Sequence, residues 1–211
     1  MKIWSEITVV RAMRYLFLLL CIGGTFEVLF NLGAQLGIGH DNPMIRGWIQ
    51  YGNAVIKPDL LPMGNGQIKV YNMVQMRFAF VEFNNLRDML QGLPLIHLIC
   101  LTLSEISIVL ILYQMFQVFR SLDKGEVFRN NSIARIRYIA YLVVAFSVFT
   151  FLSSAMLAFF IQRSGPEIRL TAPVFGNDRV LLGILVALII VALLKAFKLG
   201  AQLQQEQDLT I

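Results

Sequence analysis

Two carboxylates lie inside apolar stretches of the chain, Glu27 within residues 15–36 and Glu105 within residues 95–119. Asn31 follows Glu27 after four residues, on the same face of a helix, and Ser104 directly precedes Glu105. Polar groups in such stretches are costly, so they are the first place to look for chemistry. Neither stretch contains lysine or arginine, and two neighbouring carboxylates then favour protonated or proton-sharing forms. This pattern predicts an intramembrane polar site for a proton or cation.

The same residues also fit a structural role, in which neutral carboxyls bind one helix to another. Such hydrogen bonds contribute about 0.6 to 2 kcal/mol each in a membrane. A third apolar stretch adds four polar residues, Ser147, Thr150, Ser153 and Ser154. Together with Glu27, Asn31, Ser104 and Glu105 they form a predicted polar seam between the helices. Replacing Glu27 and Glu105 with glutamine separates the two interpretations, because glutamine keeps hydrogen bonding but cannot titrate.

Other chemistry has little support in the sequence. His97 and His40 are far apart in the sequence, and neither has other metal or haem ligands beside it. We therefore expect His97 to lie at the membrane interface and His40 in a loop. Cys21 and Cys100 both lie in apolar runs, which predicts small core residues and neither a disulfide nor a zinc site. No nucleophile with a base and no glycine-rich phosphate loop is evident. We expect a protein that is not an enzyme and holds no cofactor or metal.

The elements that carry these residues are long apolar segments. The chain is 57% hydrophobic and only 15% charged, with a mean hydropathy of +0.67, which is more apolar than a soluble core of 211 residues can absorb. At 1.5 Å per residue, 18 to 25 residues in a helix cross a bilayer core of about 30 Å. The sequence therefore predicts an all-α membrane protein of one domain with four transmembrane helices, at about residues 15–36, 95–119, 138–161 and 180–197.

The first segment has a competing interpretation as a cleaved signal peptide, because Lys2, Arg11 and Arg14 precede it. Its apolar stretch is long for a signal peptide and contains Glu27 and Asn31. A clean cleavage site of small residues is absent, and Leu20 before Cys21 does not suit a lipoprotein site. We therefore expect the segment to remain as a helix.

Basic residues in the short connections predict the orientation. Three lie within the first 14 residues and five within residues 120–137, whereas the connection 37–94 is too long for its charges to matter. Both termini are thus expected in the cytoplasm, with residues 37–94 outside, in the cytoplasmic (inner) membrane of a bacterium. The net charge of +5 lies at the ends of apolar runs, which favours the lipid bilayer over nucleic acid as the partner.

The outer connection has the periodicity of a β-strand. Apolar residues occupy alternate positions across residues 67–80, with Asn72 as the one interruption. The stretch "WIQYGNAVIK" upstream could be a hairpin partner, with the turn residues of "PDLLPMGNG" between them. A small β-hairpin between the first two spans is therefore predicted. The alternative is an amphipathic segment lying on the membrane surface.

The predicted cytoplasmic face offers a contact surface. Gly125 is a stop signal, Phe128 an anchor, and Asn130 or Asn131 an N-cap for the next helix. The arginines fit either lipid headgroups or an acidic partner, and the acidic tail 198–211 could dock beside them or lie free in solvent. The candidate cytoplasmic contact surface comprises Gly125, Phe128, Arg129, Arg135, Arg137, Glu206, Gln207 and Asp208.

Two of these features together resemble a known family. The turn Gly125-x-x-Phe128 before a capped helix, and the ending "GAQLQQEQDLTI", are similar to the bacterial membrane-protein family called domain of unknown function 2975. The resemblance covers the second to fourth helices and the tail. It implies a small four-span protein, often encoded beside a small helix-turn-helix regulator. The long outer connection and the glutamines at 202, 204 and 205 depart from the family pattern.

The resemblance favours a regulatory or sensory membrane partner of a cytoplasmic protein such as a helix-turn-helix transcription regulator. A small proton- or cation-coupled transporter that uses Glu27 and Glu105 is an alternative. A structural subunit of a membrane complex is another, which the apolar fourth helix would suit.

Overall fold

The computed structural model describes residues 2–39, 42–49, 61–63, 66–73, 76–124, 130–164 and 178–208. Helices dominate this part of the chain, and four strands lie between the first two long helices. The elements in chain order are α1 Lys2–Gln35, β1 Met44–Ile49, β2 Leu61–Met63, β3 Gly66–Met73, β4 Met76–Phe83, α2 Leu86–Met89, α3 Gly92–Asp123, α4 Asn130–Ser164 and α5 Asp178–Asp208.

Three helices are long and apolar enough to cross a membrane. Their apolar parts are Val9–Gln35, Gly92–Asp123 and Ser132–Arg163, and α5 contains a shorter apolar stretch, Val180–Ala196. In the first of these, only 6% of the most apolar window is buried inside the protein. A soluble protein does not leave so continuous an apolar surface in water, whereas lipid solvates it. Each of the four apolar segments predicted from the sequence coincides with part of one of these helices, and only the first extends beyond its helix, by one residue.

The predicted β-element is confirmed, but its layout differs from the prediction. The residues 67–80 do not form one strand; they are divided between β3 and β4, which pair antiparallel with each other. The upstream strand β1 pairs with β4, and it overlaps the quoted stretch "WIQYGNAVIK" only at Trp48 and Ile49. Residues 50–57 of that stretch lie outside the described part of the chain. The four strands are ordered β1, β4, β3, β2.

The pairing register explains why one alternating run became two strands. Met73 is opposite Met76, so two residues join the strands and even-numbered positions of β3 face odd-numbered positions of β4. Position 68 is accordingly opposite position 81, whereas position 80 is opposite position 69. Cross-strand partners share a face of a sheet. Apolar residues therefore occupy even-numbered positions in both strands, but those positions lie on one face of the sheet in β3 and on the opposite face in β4. Periodicity alone does not reveal this change.

A glycine ends α1 and directs the chain towards the sheet. Gly37 has a φ of 83°, a left-handed conformation that favours glycine. The amide of Ile38 donates to the carbonyl oxygen of Gly33 at 2.9 Å, and that of Gly37 to Ala34 at 3.2 Å. These two bonds form a Schellman motif, which satisfies carbonyls that the helix end leaves free. Pro43 lies beside Gly37, where an added Cβ would be 3.2 Å from its nitrogen.

The chain divides into two compact units. The first unit comprises Met1–Phe26, Glu105–Ser147 and Val180–Ile211, and the second comprises Glu27–Ser104 and Val148–Arg179. The second unit contains the sheet and an apolar core to which the strands β1 and β4 and the helices α2, α3 and α4 contribute buried residues. Its buried members are Ile45, Val81, Phe83, Met89, Leu98, Leu157, Ala158 and Ile161.

In the first unit, α1 and α3 pack antiparallel. Arg14 contacts Asp123, and the rings of Phe17 and Phe119 stack with centroids 5.2 Å apart. The helices α4 and α5 approach closely at Gly183, where an added Cβ would lie only 1.8 Å from Oγ of Ser147. Close approach at small residues is typical of helices packed in membranes.

Candidate functional site

Arg46 connects the sheet to the end of α1. It lies in β1, an edge strand of the sheet, and its guanidinium Nη2 donates a hydrogen bond to Oδ1 of Asn31. Its neighbour Ile45 pairs with Val81, and both are fully buried in the core of the second unit. The apolar pair thus fixes the position of β1, from which Arg46 reaches the helix.

His97 connects the same strand to two more helices. It lies near the start of α3 and is only 1% exposed. Its Nδ1 is 2.9 Å from the carbonyl oxygen of Ser153 and 3.0 Å from the Oγ of Ser153, on α4. Its Nε2 is 3.2 Å from the carbonyl oxygen of Arg46. One imidazole therefore holds α3, α4 and β1 together.

These four residues, Asn31, Arg46, His97 and Ser153, form what we call the sheet–helix junction. All four belong to the second unit. Leu98 and Leu157, which neighbour the junction in sequence, are buried in the apolar core of that unit. Hydrogen bonds in such surroundings are stronger than in water, and an unpaired polar group is more costly. The junction is thus an energetically important connection between sheet and helices.

The sequence did not predict that β1 and α4 cover the ring of His97. That the residue lies at the depth of the membrane interface stays a prediction. A signal for this burial is present in the sequence. His97, Cys100, Ser104 and Ser107 follow one another at spacings of three or four, and all four are buried in α3. Small or polar residues at helical spacing mark a packed face in a membrane helix. His40 lies outside the described residues.

The structure also brings a serine hydroxyl next to an imidazole, a pairing that the sequence did not reveal. Ser153 and His97 are 56 residues apart, so no local motif identifies them. Such a pair serves as nucleophile and base in many enzymes. Here the serine is buried and the second ring nitrogen faces a backbone carbonyl. These contacts explain the pair as a structural connection between α3, α4 and β1.

The predicted intramembrane polar residues have different surroundings. Asn31 accepts the bond from Arg46, and Ser104 is buried and donates to the carbonyl oxygen of Leu101 at 2.7 Å. Glu27 is exposed on α1, and Glu105 is half-buried on α3. Glu27 belongs to the second unit and Glu105 to the first. That the two carboxylates form one site stays a prediction.

Several hydroxyl groups in the helices bind their own helix. Thr25 donates to the carbonyl oxygen of Cys21 at 2.8 Å, and Thr102 donates to that of Leu98 at 2.9 Å. Ser147 donates to Val143 at 2.9 Å. Bonds to the carbonyl four residues earlier satisfy a hydroxyl without any partner helix or ligand. Of these three residues, only Ser147 belongs to the predicted polar seam, and its hydroxyl bonds its own helix.

Asp123 is a second polar contact that the sequence did not single out. Its carboxylate oxygens bind Arg14 at 2.6 Å and Arg11 at 3.1 Å, which connects the end of α3 to α1 within the first unit. Arg14 also lies over the ring of Tyr15, with 4.8 Å from the guanidinium carbon to the ring centroid. The available signal was an acidic residue among the basic residues that follow an apolar segment.

The predicted cytoplasmic contact surface is described in part. Arg135 donates to Oε1 of Gln117 at 2.9 Å, and Arg137 is exposed. Gly125, Phe128 and Arg129 lie outside the described residues. The predicted helix start agrees with α4, which begins at Asn130, and α5 continues as a helix through Glu206, Gln207 and Asp208. The structure does not describe the side chains of those three residues.

The part of the chain that the structure describes contains no cluster of metal ligands. There, no group of three or more histidine, cysteine, aspartate or glutamate residues could hold an ion. Cys100 is buried and Cys21 is half-buried, and both thiols are free.

The fold and the junction define a mostly helical protein with helices of membrane-spanning length and a small sheet joined to their ends. Residues 72–211 match the family described as Protein of unknown function (DUF2975). The match covers more than half of the chain, so the chain belongs to this family, and the resemblance seen in the sequence is confirmed. No curated protein and no solved structure matches the chain.

Proposed function

We propose that the chain crosses the cytoplasmic membrane of a bacterium four times, with both termini inside and the sheet outside. The apolar stretch Val180–Ala196 of α5 is 17 residues long, which corresponds to about 26 Å of helix and nearly matches the bilayer core. The whole of α5 has 31 residues, so its polar end extends into the cytoplasm. The five basic residues of the connection 120–137 support this orientation.

Within that topology, we infer a regulatory or sensory role without catalysis. The observation that carries this proposal is the sheet–helix junction. Through Arg46 and His97, β1 is bonded to α1, α3 and α4. A ligand or condition that displaces the sheet on the outside changes contacts of three membrane helices at once. This is the kind of two-state element that a sensor needs.

The proposed output is a contact with a soluble cytoplasmic protein. Arg137 is exposed near the start of α4, and the sequence of the α5 end is acidic at Glu206 and Asp208. A surface with both signs of charge suits docking of a charged partner, with electrostatic attraction that salt weakens. We propose a helix-turn-helix transcription regulator as the partner, the kind of protein that the family resemblance suggested from the sequence.

Partner capture from the native host tests this role. The full chain, solubilised in detergent, is compared with a chain that lacks residues 206–211 and with an Arg137→Gln variant. We expect both changes to reduce the recovery of one specific soluble protein, because each removes charge from the proposed surface. Val9→Ala is the matched control, since Val9 is exposed on α1 and carries no charge.

Transcription provides the second readout of the same proposal. Deleting the gene is expected to change transcription of a limited set of genes, and expression of the truncated chain is expected to leave that change uncorrected. An unchanged transcriptome, together with equal capture by full and truncated chains, contradicts the regulatory role.

A further inference from the structure

The ring of His97 contacts two elements besides its own helix, and its two nitrogens face different partners. Nε2 faces the carbonyl oxygen of Arg46, which can only accept a hydrogen bond. Nδ1 faces both the hydroxyl and the carbonyl oxygen of Ser153. The number of protons on the ring therefore determines which of these bonds can form.

The neutral ring satisfies the junction completely. With its proton on Nε2, it donates to the carbonyl oxygen of Arg46, while Nδ1 accepts a hydrogen bond from the Ser153 hydroxyl. Each nitrogen then has a partner of the opposite kind, and no charge is buried. The neutral form thus holds β1 against α3 and α4.

The protonated ring fits the same place poorly. Both nitrogens are then donors, so the Ser153 hydroxyl loses its acceptor and Nδ1 must bind the carbonyl oxygen instead. The added positive charge lies on a side chain that is 1% exposed, where desolvation makes a charge costly. Arg46 brings a second positive charge to the junction, and no described carboxylate is bonded to the ring.

Charged or titratable groups on the surrounding elements do not remove this cost. On α4, residues 148–162 contain none. The other elements carry a thiol at Cys100 and a carboxylate at Glu105 on α3, and a carboxylate at Glu27 one turn before Asn31 on α1. They also carry Arg87 and Asp88 on α2, and Glu82 on β4, opposite Met44 in the register. None of them is bonded to His97 among the described residues.

We propose that His97 is a proton-binding site whose protonation opens the sheet–helix junction. The neutral ring joins β1 to the helices, and the charged ring leaves its buried place and releases the strand. This deepens the proposed sensory function, on which it rests for its biological meaning, by naming the signal as acidification on the side of the sheet. The opening itself is a property of the chain alone and needs no partner.

Hydrogen–deuterium exchange of the purified full chain in detergent tests the proposal between pH 5 and 8, with rates corrected for the intrinsic pH dependence of exchange. We expect protection of the amides of residues 44–49 to fall as the pH is lowered, and to do so with one midpoint. In His97→Gln, a neutral side chain with a donor and an acceptor, protection is expected to be independent of pH. His40→Gln is the matched control, because the chain has only two histidines, and it should keep the full response.

Ser153→Ala adds a prediction with a definite sign. The substitution removes the hydroxyl that donates to Nδ1 of the neutral ring. The charged ring has a proton on Nδ1 and cannot accept that bond. Only the neutral form is weakened, so the midpoint should move to higher pH. The shift should correspond to at most about a tenfold change in proton concentration, the value of one hydrogen bond.

Nuclear magnetic resonance of the imidazole keeps the test independent of how well the variants fold. In the wild-type chain, with signals assigned through His40→Gln, the His97 ring should titrate at the midpoint found by exchange. A pH-independent protection of residues 44–49, or a ring that titrates without any change in protection, overturns the proposal. Either result leaves the capture of a cytoplasmic partner untouched, so a failure here is distinct from a failure of the proposed function.

Discussion

At the scale of single residues, the two arginines that share Asp123 should contribute unequally to stability. Arg11 is 62% exposed, whereas Arg14 is 24% exposed and also lies over Tyr15. Water and salt screen an exposed ion pair strongly and a partly buried one less. The pair of Arg14 with Asp123 is therefore the stronger connection between α1 and α3.

Substitution of each arginine tests this ranking. We expect Arg14→Gln to lower the free energy of unfolding by about 1 kcal/mol, and Arg11→Gln to lower it by clearly less, in the range of exposed ion pairs. Thermal unfolding of the purified variants in detergent measures both. High salt should reduce the effect of Arg11→Gln first. A larger loss for Arg11→Gln than for Arg14→Gln contradicts the ranking.

The residues of the junction also explain what the sequence could reveal about the site. Asn31 was identified because a polar residue stands out in an apolar stretch. Arg46, His97 and Ser153 meet only after the chain has folded, since 51 residues separate Arg46 from His97 and 56 separate His97 from Ser153. No local spacing encodes such contacts. The buried spacing of His97 with Cys100 and Ser104 indicates a packed face but does not name the partner.

At the scale of elements, the contact between α4 and α5 depends on the absence of a side chain. Among the residues of α5 whose side chains the structure describes, Gly183, Ala187 and Leu194 are buried, at spacings of four and seven that place them on one face. Leu181, Leu185 and Leu188 beside them are exposed. A narrow packed stripe therefore holds α5, and apolar residues on its other faces are exposed. Within this stripe, Gly183 lies against Ser147 of α4.

Gly183→Ala should disrupt this contact. The new Cβ would lie 1.8 Å from Oγ and 2.7 Å from Cβ of Ser147, so the helices must separate. Overpacking of this kind costs about 1 to 3 kcal/mol, and unfolding in detergent measures it. Gly23→Ala is the matched control, because no atom lies within 4 Å of its added Cβ. Its higher helix propensity should leave stability unchanged or raised.

A double variant shows whether the clash itself is responsible. Ser147→Gly removes the two atoms with which the added Cβ would clash. Combining it with Gly183→Ala should therefore cost less than the sum of the two single changes. A strictly additive cost, or a Gly183→Ala chain as stable as Gly23→Ala, contradicts the packing of α5 against α4.

Helices and strands differed in how far the sequence could predict them. The long helices follow from apolar length alone, because the backbone in lipid must satisfy its own hydrogen bonds. Strand pairing depends on a register between distant residues, so the periodicity of residues 67–80 indicated β structure but not its turn. The partner of β1 was likewise undetermined by local pattern.

At the scale of the whole molecule, the number of spans is a testable property of α5. With the N-terminus inside, four spans return the C-terminus to the cytoplasm, whereas three spans would leave it outside. A green fluorescent protein fused after Ile211 should fluoresce, because it folds only in the cytoplasm. Alkaline phosphatase fused at the same point should be inactive, and fused after Asn85 it should be active. The opposite pattern at Ile211 contradicts the fourth span.

The order of the strands has a consequence for how the outer element can vary. The strand β1 pairs with β4, the last strand along the chain, so Ile45 lies opposite Val81. The chain between these two residues, which includes β2 and β3, is therefore a loop with its ends held together. Doubling the length of such a loop costs only about 0.6 kcal/mol of closure entropy. The family match begins at residue 72, within β3, and so includes β4 but not β1 or β2. Insertions between residues 50 and 60 can therefore alter what the sheet displays while the strands that touch the helices keep their pairing.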